Sequence, residues 1–146
     1  MSPWERFLKG GIIAAGREAI VMKLSEKEFD RAVRRAFEHI PAEIRERMDG
    51  VVLTVRKRPP AKLLKEMGYP PDEPLLGLFD GDSLRDRSFF SAPALHPDTI
   101  YIFQEPLEAM CGSLAELERE IEITVVHEVA HFLGISEERL GQLGYG

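Results

Sequence analysis

The stretch His127-Glu128-Val129-Ala130-His131 limits what this chain can fold into more than any other feature of its sequence. Side chains four positions apart lie on one face of an α-helix, so a helix here presents both imidazoles on one side, where both can ligate one metal ion. Glu128 points about a quarter-turn away, where a carboxylate can act as general base on water. We therefore expect a helix with His127 and His131 as metal ligands and Glu128 as the catalytic base.

The alternative is that both histidines are structural, as a lone histidine on an apolar helix usually is. Here the two imidazoles flank a glutamate on a helix otherwise lined with valine and alanine. Burying these polar groups without a partner would cost several kcal/mol, and a bound cation removes that cost. The sequence therefore favours a metal site. Zinc is the expected ion, because it takes nitrogen-rich tetrahedral sites with one open position.

The third ligand has few candidates in the rest of the chain. After His131 there is no His, Cys or Asp, and the only acidic residues are Glu137 and Glu138. Gly134 allows the chain to turn back, because glycine adopts a positive φ at little cost. Glu137 follows this turn and is the predicted ligand, with Glu138 as the alternative. Each glutamate also suits the solvated first turn of a helix, where carboxylates are favoured in any case.

Composition excludes several classes of protein. A length of 146 residues fits one domain with a real core. The net charge of −6 provides no basic excess for neutralising phosphates, so nucleic acid is not the expected partner. Cys111 is the single cysteine and forms no internal disulfide, so nothing indicates an oxidising compartment. With no convincing signal peptide and no run long enough to span a membrane, we expect a cytoplasmic protein.

Helix signals are clearest at two serines, each followed by a glutamate three positions later. Ser25 predicts the start of a helix that ends near Pro41, and Ser113 predicts the start of a long helix that carries the motif and ends at Gly134. Shorter helices are predicted in 42–48 and 61–67 and after Ser136.

Three short runs rich in branched and aromatic residues, at 51–55, 75–79 and 99–103, predict β-strands. Residues 82–98 are polar and irregular. The expected fold class is α+β, a compact domain with a small mixed sheet packed against helices and the motif on a mostly buried helix. Residues 24–146 form this domain, and residues 1–23 form an N-terminal extension with short helical pieces. The extension either packs on the domain or pairs with another subunit.

The segment His127–Leu140, with its two histidines, Gly134 and Glu137, resembles the small bacterial zincin-like metallopeptidases, also called minimal zincins. Leu75–Gly81 is similar to the LLGLYEG strand of that family, and Pro97–Phe103 and Pro106–Glu108 are similar to the segment before its motif helix. The resemblance covers residues 24–146. It implies a compact zincin core that binds Zn²⁺ through two histidines and a carboxylate. That carboxylate is usually aspartate, and here the position holds glutamate, which is one methylene longer.

The leading functional hypothesis is a zinc-dependent peptidase in which His127, His131 and Glu137 hold zinc and Glu128 is the general base. Its substrate is expected to be a short peptide or small protein lying along an edge strand, with strand 99–103 as the candidate. The alternatives are a zinc-binding regulatory module with marginal catalysis and a non-peptide zinc hydrolase. The sequence does not indicate the oligomeric state.

Overall fold

The computed structural model of this chain describes residues 22–70, 72–81 and 97–146. Nearly all of the predicted N-terminal extension and most of the predicted irregular segment 82–98 lie outside the described residues. The helices are α1 (Glu26–His39), α2 (Ala42–Arg47), α3 (Ala61–Glu66), α4 (Gln104–Ala109), α5 (Leu114–Leu133) and α6 (Glu137–Gln142). The strands are β1 (Val52–Arg56), β2 (Gly77–Asp80) and β3 (Thr99–Phe103). The predicted α+β class with a small mixed sheet is confirmed.

The described strands form one sheet in the order β1-β3-β2. β1 runs parallel to β3, and β2 runs antiparallel to it. Strand β3 is therefore central, and all five of its residues are buried. The prediction that 99–103 is the edge strand for a substrate is wrong, because its backbone groups are already paired on both sides. Among the strands that the structure describes, β2 lies at the edge next to the motif helix.

The sheet separates two apolar clusters. Side chains alternate along β3, so Ile100 and Ile102 point into the larger cluster, which α1 and α5 cover. Tyr101 and Phe103 point to the opposite face, where they pack in a smaller cluster with Leu63 of α3. The motif helix thus packs against the sheet on the side of the main core. Within the described part of the chain, no helix is long and apolar enough to cross a membrane.

The two long helices begin at the predicted serines. Ser25 and Glu28 make both hydrogen bonds of a capping box, as expected. Ser113 accepts the Glu116 N–H, but the Glu116 carboxylate accepts the N–H of Gly112 rather than that of Ser113. The second capping box is therefore only half formed, although the helix start is correct.

Helix α4 was not predicted, because Pro106 lies within its six residues. Proline is compatible with the first turn of a helix, where its missing N–H has no intrahelical partner. The helix buries the Glu108 carboxylate, which accepts the N–H of Leu24 at 2.7 Å and the side-chain amide of Gln104 at 3.2 Å. These bonds connect the chain just before α1 to the end of the sheet.

Close packing of α5 on β2 depends on Gly77. A Cβ atom at this position would lie 2.7 Å from the Thr124 side chain and 3.0 Å from the Tyr101 carbonyl oxygen. The first distance is shorter than Cβ atoms adopt and the second is unusually tight, so glycine is the residue that lets the helix approach this closely without a shift. The approach brings Glu128, one turn after Thr124, to the edge strand.

Candidate active site

The motif lies in the last three turns of α5, as the sequence predicts. His127 is buried at 8% exposure, whereas His131 is exposed. The helix ends at Gly134, whose φ of 71° is in the left-handed region and whose N–H donates to the Ala130 carbonyl. The chain turns back there, and Glu137 becomes the first residue of α6 and is exposed. The chain reversal predicted at Gly134 is confirmed.

Glu128 reaches across to the edge strand. Its Oε2 accepts the N–H of Phe79 at 3.1 Å. Burial of this carboxyl raises its pKa to about 7, with the Phe79 hydrogen bond acting in the opposite direction. A carboxyl group with a pKa near neutrality both accepts and returns a proton at physiological pH, which is what a general base in hydrolysis must do.

The outer edge of β2 faces this glutamate. The Phe103 N–H donates to the Leu76 carbonyl, so in the antiparallel pair the backbone groups of Gly77 and Phe79 point away from β3. The Phe79 N–H points to Glu128 for this reason. The Phe79 ring stacks on Phe132 with centroids 3.9 Å apart, and Phe132 is 48% exposed. An exposed aromatic surface therefore lies beside Glu128.

His127 makes a hydrogen bond that the sequence did not indicate. Its Nε2 lies 2.9 Å from the backbone carbonyl oxygen of Tyr145. Because a carbonyl oxygen only accepts, Nε2 carries a hydrogen in this arrangement. Burial lowers the pKa of His127, and the nearby His131 lowers it further. The hydrogen bond to Tyr145 and the negative charge of Glu137 both raise this pKa. Both proposed partner ligands are therefore close enough to act on His127 electrostatically.

Tyr145 is held in place by three further contacts. Its hydroxyl donates to Glu122 Oε2 at 2.5 Å, and its N–H donates to the Leu140 carbonyl at 2.8 Å. Arg119 contacts the same Glu122 oxygen at 2.6 Å, and its guanidinium lies 5.2 Å from the centre of the Tyr145 ring. No spacing rule predicts this contact, because Tyr145 lies 18 residues from His127. A signal in the sequence was Glu122, a charged residue within the apolar part of α5, because such a residue needs a polar partner when the helix is buried.

The described residues fit a zinc ion in their chemistry, but they do not form a ready-made site. No three His, Cys, Asp or Glu side chains of the described segments are grouped closely enough to hold a metal ion. Two imidazoles and a nearby carboxylate are nonetheless a ligand set that zinc accepts. Ligation through His127 Nε2 requires the hydrogen bond to Tyr145 to break.

Residues 48–146 match the model of a known family, described as zincin-like metallopeptidase, over more than half of the chain. The chain belongs to the zincin-like metallopeptidase family. The matched region runs from just before β1 to the end of the chain and contains the whole motif, which confirms the resemblance seen in the sequence. No curated protein matches the chain. The division into residues 1–23 and 24–146 stays a prediction.

Proposed function

We propose that this member of the zincin-like metallopeptidases is a zinc-dependent peptidase in which His127, His131 and Glu137 hold zinc and Glu128 is the general base. The observation that carries the proposal is the Glu128 carboxyl, which lies next to the histidine pair on the motif helix and is hydrogen-bonded to the edge strand. The position of Glu137 as the first residue of α6, just after the chain reversal at Gly134, supports Glu137 over Glu138 as the third ligand.

The chemistry divides between the metal and the chain. Zinc, when bound, would polarise a peptide carbonyl and acidify water. Glu128 takes the proton from the attacking water and passes it to the leaving amine. The hydrogen bond from the Phe79 N–H holds this carboxyl at the edge strand, beside the histidine pair.

A peptide substrate fits the outer edge of β2. The backbone groups of Gly77 and Phe79 face away from β3, and of these the Phe79 N–H is bonded to Glu128. An extended peptide can therefore add as a further strand by pairing with the Gly77 backbone groups and the Phe79 carbonyl oxygen. The exposed Phe132 beside this edge offers contact to an apolar side chain. We therefore propose short peptides or an extended segment of a small protein as substrates. Nucleic acid is not a proposed partner, and a cytoplasmic location stays a prediction.

The test is the substitution Glu128→Gln, assayed on zinc-loaded protein with a broad peptide library. Glutamine can still accept the Phe79 N–H, but it cannot take the proton. Hydrolysis should fall about 10²–10⁴-fold while the zinc content stays at the wild-type level. Glu138→Gln, a change at an exposed glutamate of α6, is the matched control and should keep its activity. Equal turnover by wild type and Glu128→Gln would contradict the proposed mechanism.

One observation favours a second candidate, a zinc-binding module with little catalysis. The Tyr145 carbonyl contacts the nitrogen of His127 that a metal needs and helps to bury this ring. The same library distinguishes the two functions. A zinc-loaded wild-type protein that cleaves no member of the library would favour the binding module.

A further inference from the structure

Tyr145 makes most of the contacts that attach the segment after α6 to the motif helix, and the Gly144 carbonyl adds one hydrogen bond from Arg119 at 3.2 Å. The Tyr145 ring lies beside Arg119, its hydroxyl donates to Glu122, and its carbonyl oxygen accepts from His127 Nε2. Arg119, Glu122 and His127 all belong to α5, so this one residue contacts about two turns of the motif helix. We call these four residues the Tyr145 lock.

The carbonyl contact uses the nitrogen that a shared metal requires. In histidine, Nδ1 lies next to Cβ and close to the helix, whereas Nε2 is at the outer end of the ring. Two imidazoles on one helix face reach a common ion most readily with their outer nitrogens. A nitrogen that donates a hydrogen to a carbonyl has no lone pair for a metal. The Tyr145 carbonyl and a metal ion therefore exclude each other at Nε2.

We propose that the Tyr145 lock controls metal loading, so that zinc competes with the Tyr145 carbonyl for His127 and releases the segment 144–146 when it binds. The inference rests on the proposed function, because it requires zinc on His127. Tyr145 acts here as a positioning residue. The energy that holds it on α5 is subtracted from the energy of zinc binding, since the locked state must open first.

The hydroxyl of Tyr145 allows the lock to be weakened without removing its ring. Tyr145→Phe deletes the bond to Glu122, but Glu122 keeps its contact with Arg119 at 2.6 Å, so the carboxylate is not left unpaired. Tyr101→Phe is the matched control. Tyr101 is also a buried tyrosine, but it lies in the smaller cluster on the opposite face of the sheet.

Zinc affinity is measured on chelator-treated full-length protein by competition with a chromophoric chelator. Tyr145→Phe should bind zinc about fivefold more tightly than wild type, the factor that corresponds to one hydrogen bond of about 1 kcal/mol. Tyr101→Phe should bind as wild type does. In parallel, the Tyr145 amide, which donates to Leu140, should exchange its hydrogen faster in wild type once zinc is added.

The outcomes distinguish a failure of the Tyr145 lock from a failure of the proposed function. Equal or weaker zinc binding by Tyr145→Phe, or a Tyr145 amide that zinc protects, would overturn the lock and leave the proposed function standing. Absence of zinc binding by wild type and both variants would overturn the proposed function, and the lock with it.

Discussion

Replacing Glu128 with glutamine should make the metal-free protein more stable at alkaline pH and leave its stability nearly unchanged at acidic pH. The reason is that α5 and β2 partly enclose a carboxyl whose charged form is disfavoured there. In the folded chain the pKa of Glu128 is raised, by burial, from 4.5 to about 7. Glutamine has a similar shape, can accept the Phe79 N–H and never carries the charge.

The sign and size of the effect follow from that pKa. The pKa of this carboxyl is higher in the folded than in the unfolded chain. Its contribution to the free energy of unfolding is therefore fully present below pH 4.5 and is lost as the pH rises through 7. At about 1.4 kcal/mol per pH unit, the whole rise corresponds to about 3 kcal/mol. Glu128 keeps partial exposure to solvent, so this figure is an upper bound. As the pH rises from 5.5 to 8.5, the free energy of unfolding of the variant should increase relative to that of wild type by about 2 kcal/mol.

The assay is urea denaturation of both proteins, freed of metal, at several pH values from 5.5 to 8.5. The difference between them isolates Glu128, because every other titrating group is common to both. Glu138→Gln, at an exposed position, should follow wild type at every pH. A difference between Glu128→Gln and wild type that stays constant with pH would refute the argument that burial controls this carboxyl.

Two further predictions concern the third ligand and the packing of the motif helix. Glu137→Ala should weaken zinc binding by more than the roughly 10–100-fold that loss of an outer-shell partner costs, and Glu138→Ala should not, as measured by chelator competition. If only Glu138→Ala weakens binding, the ligand assignment is off by one residue. Gly77→Ala should destabilise the fold by about 1–3 kcal/mol in urea denaturation, because the new methyl group meets Thr124, whereas Gly141→Ala in α6 meets nothing within 4 Å and should be neutral or stabilising. Equal stabilities for the two alanine variants would mean that the close approach at Gly77 is not needed.

The sequence predicts elements well where the signal is local. Ser25 and Glu28 start α1 as expected, and Gly134 ends α5 with the positive φ that glycine allows. Both outcomes depend on hydrogen bonds within one turn of helix, so spacing alone is informative. The limits of β3 agree with the predicted 99–103 as well, because a continuous run of branched and aromatic residues between polar neighbours has few other conformations.

The position of β3 in the sheet was not predictable in the same way. A strand is central or at an edge according to which other strands pair with it, and that pairing joins residues far apart in the chain. The continuous apolar character of Thr99–Phe103 does indicate burial on both faces. This continuous apolar run therefore indicates a central strand rather than an edge strand.

In the candidate site, too, the relations within one helix were predictable from the sequence, and the contacts between distant residues were not. The motif indicates His127, Glu128 and His131 because a helix fixes their relative directions. The contacts of Phe79 with Glu128 and of Tyr145 with His127 join residues 49 and 18 positions apart. These long-range contacts account for the burial and hydrogen bonding of the site, and only the folded structure reveals them.

The most direct test of the zinc site is the metal content of the full-length protein, purified without added metal and then equilibrated with zinc. Elemental analysis should find about one zinc per chain in wild type and little in His127→Ala or His131→Ala, because both imidazoles bind the same ion. A wild-type chain without zinc, or full zinc content in either histidine variant, would contradict the site.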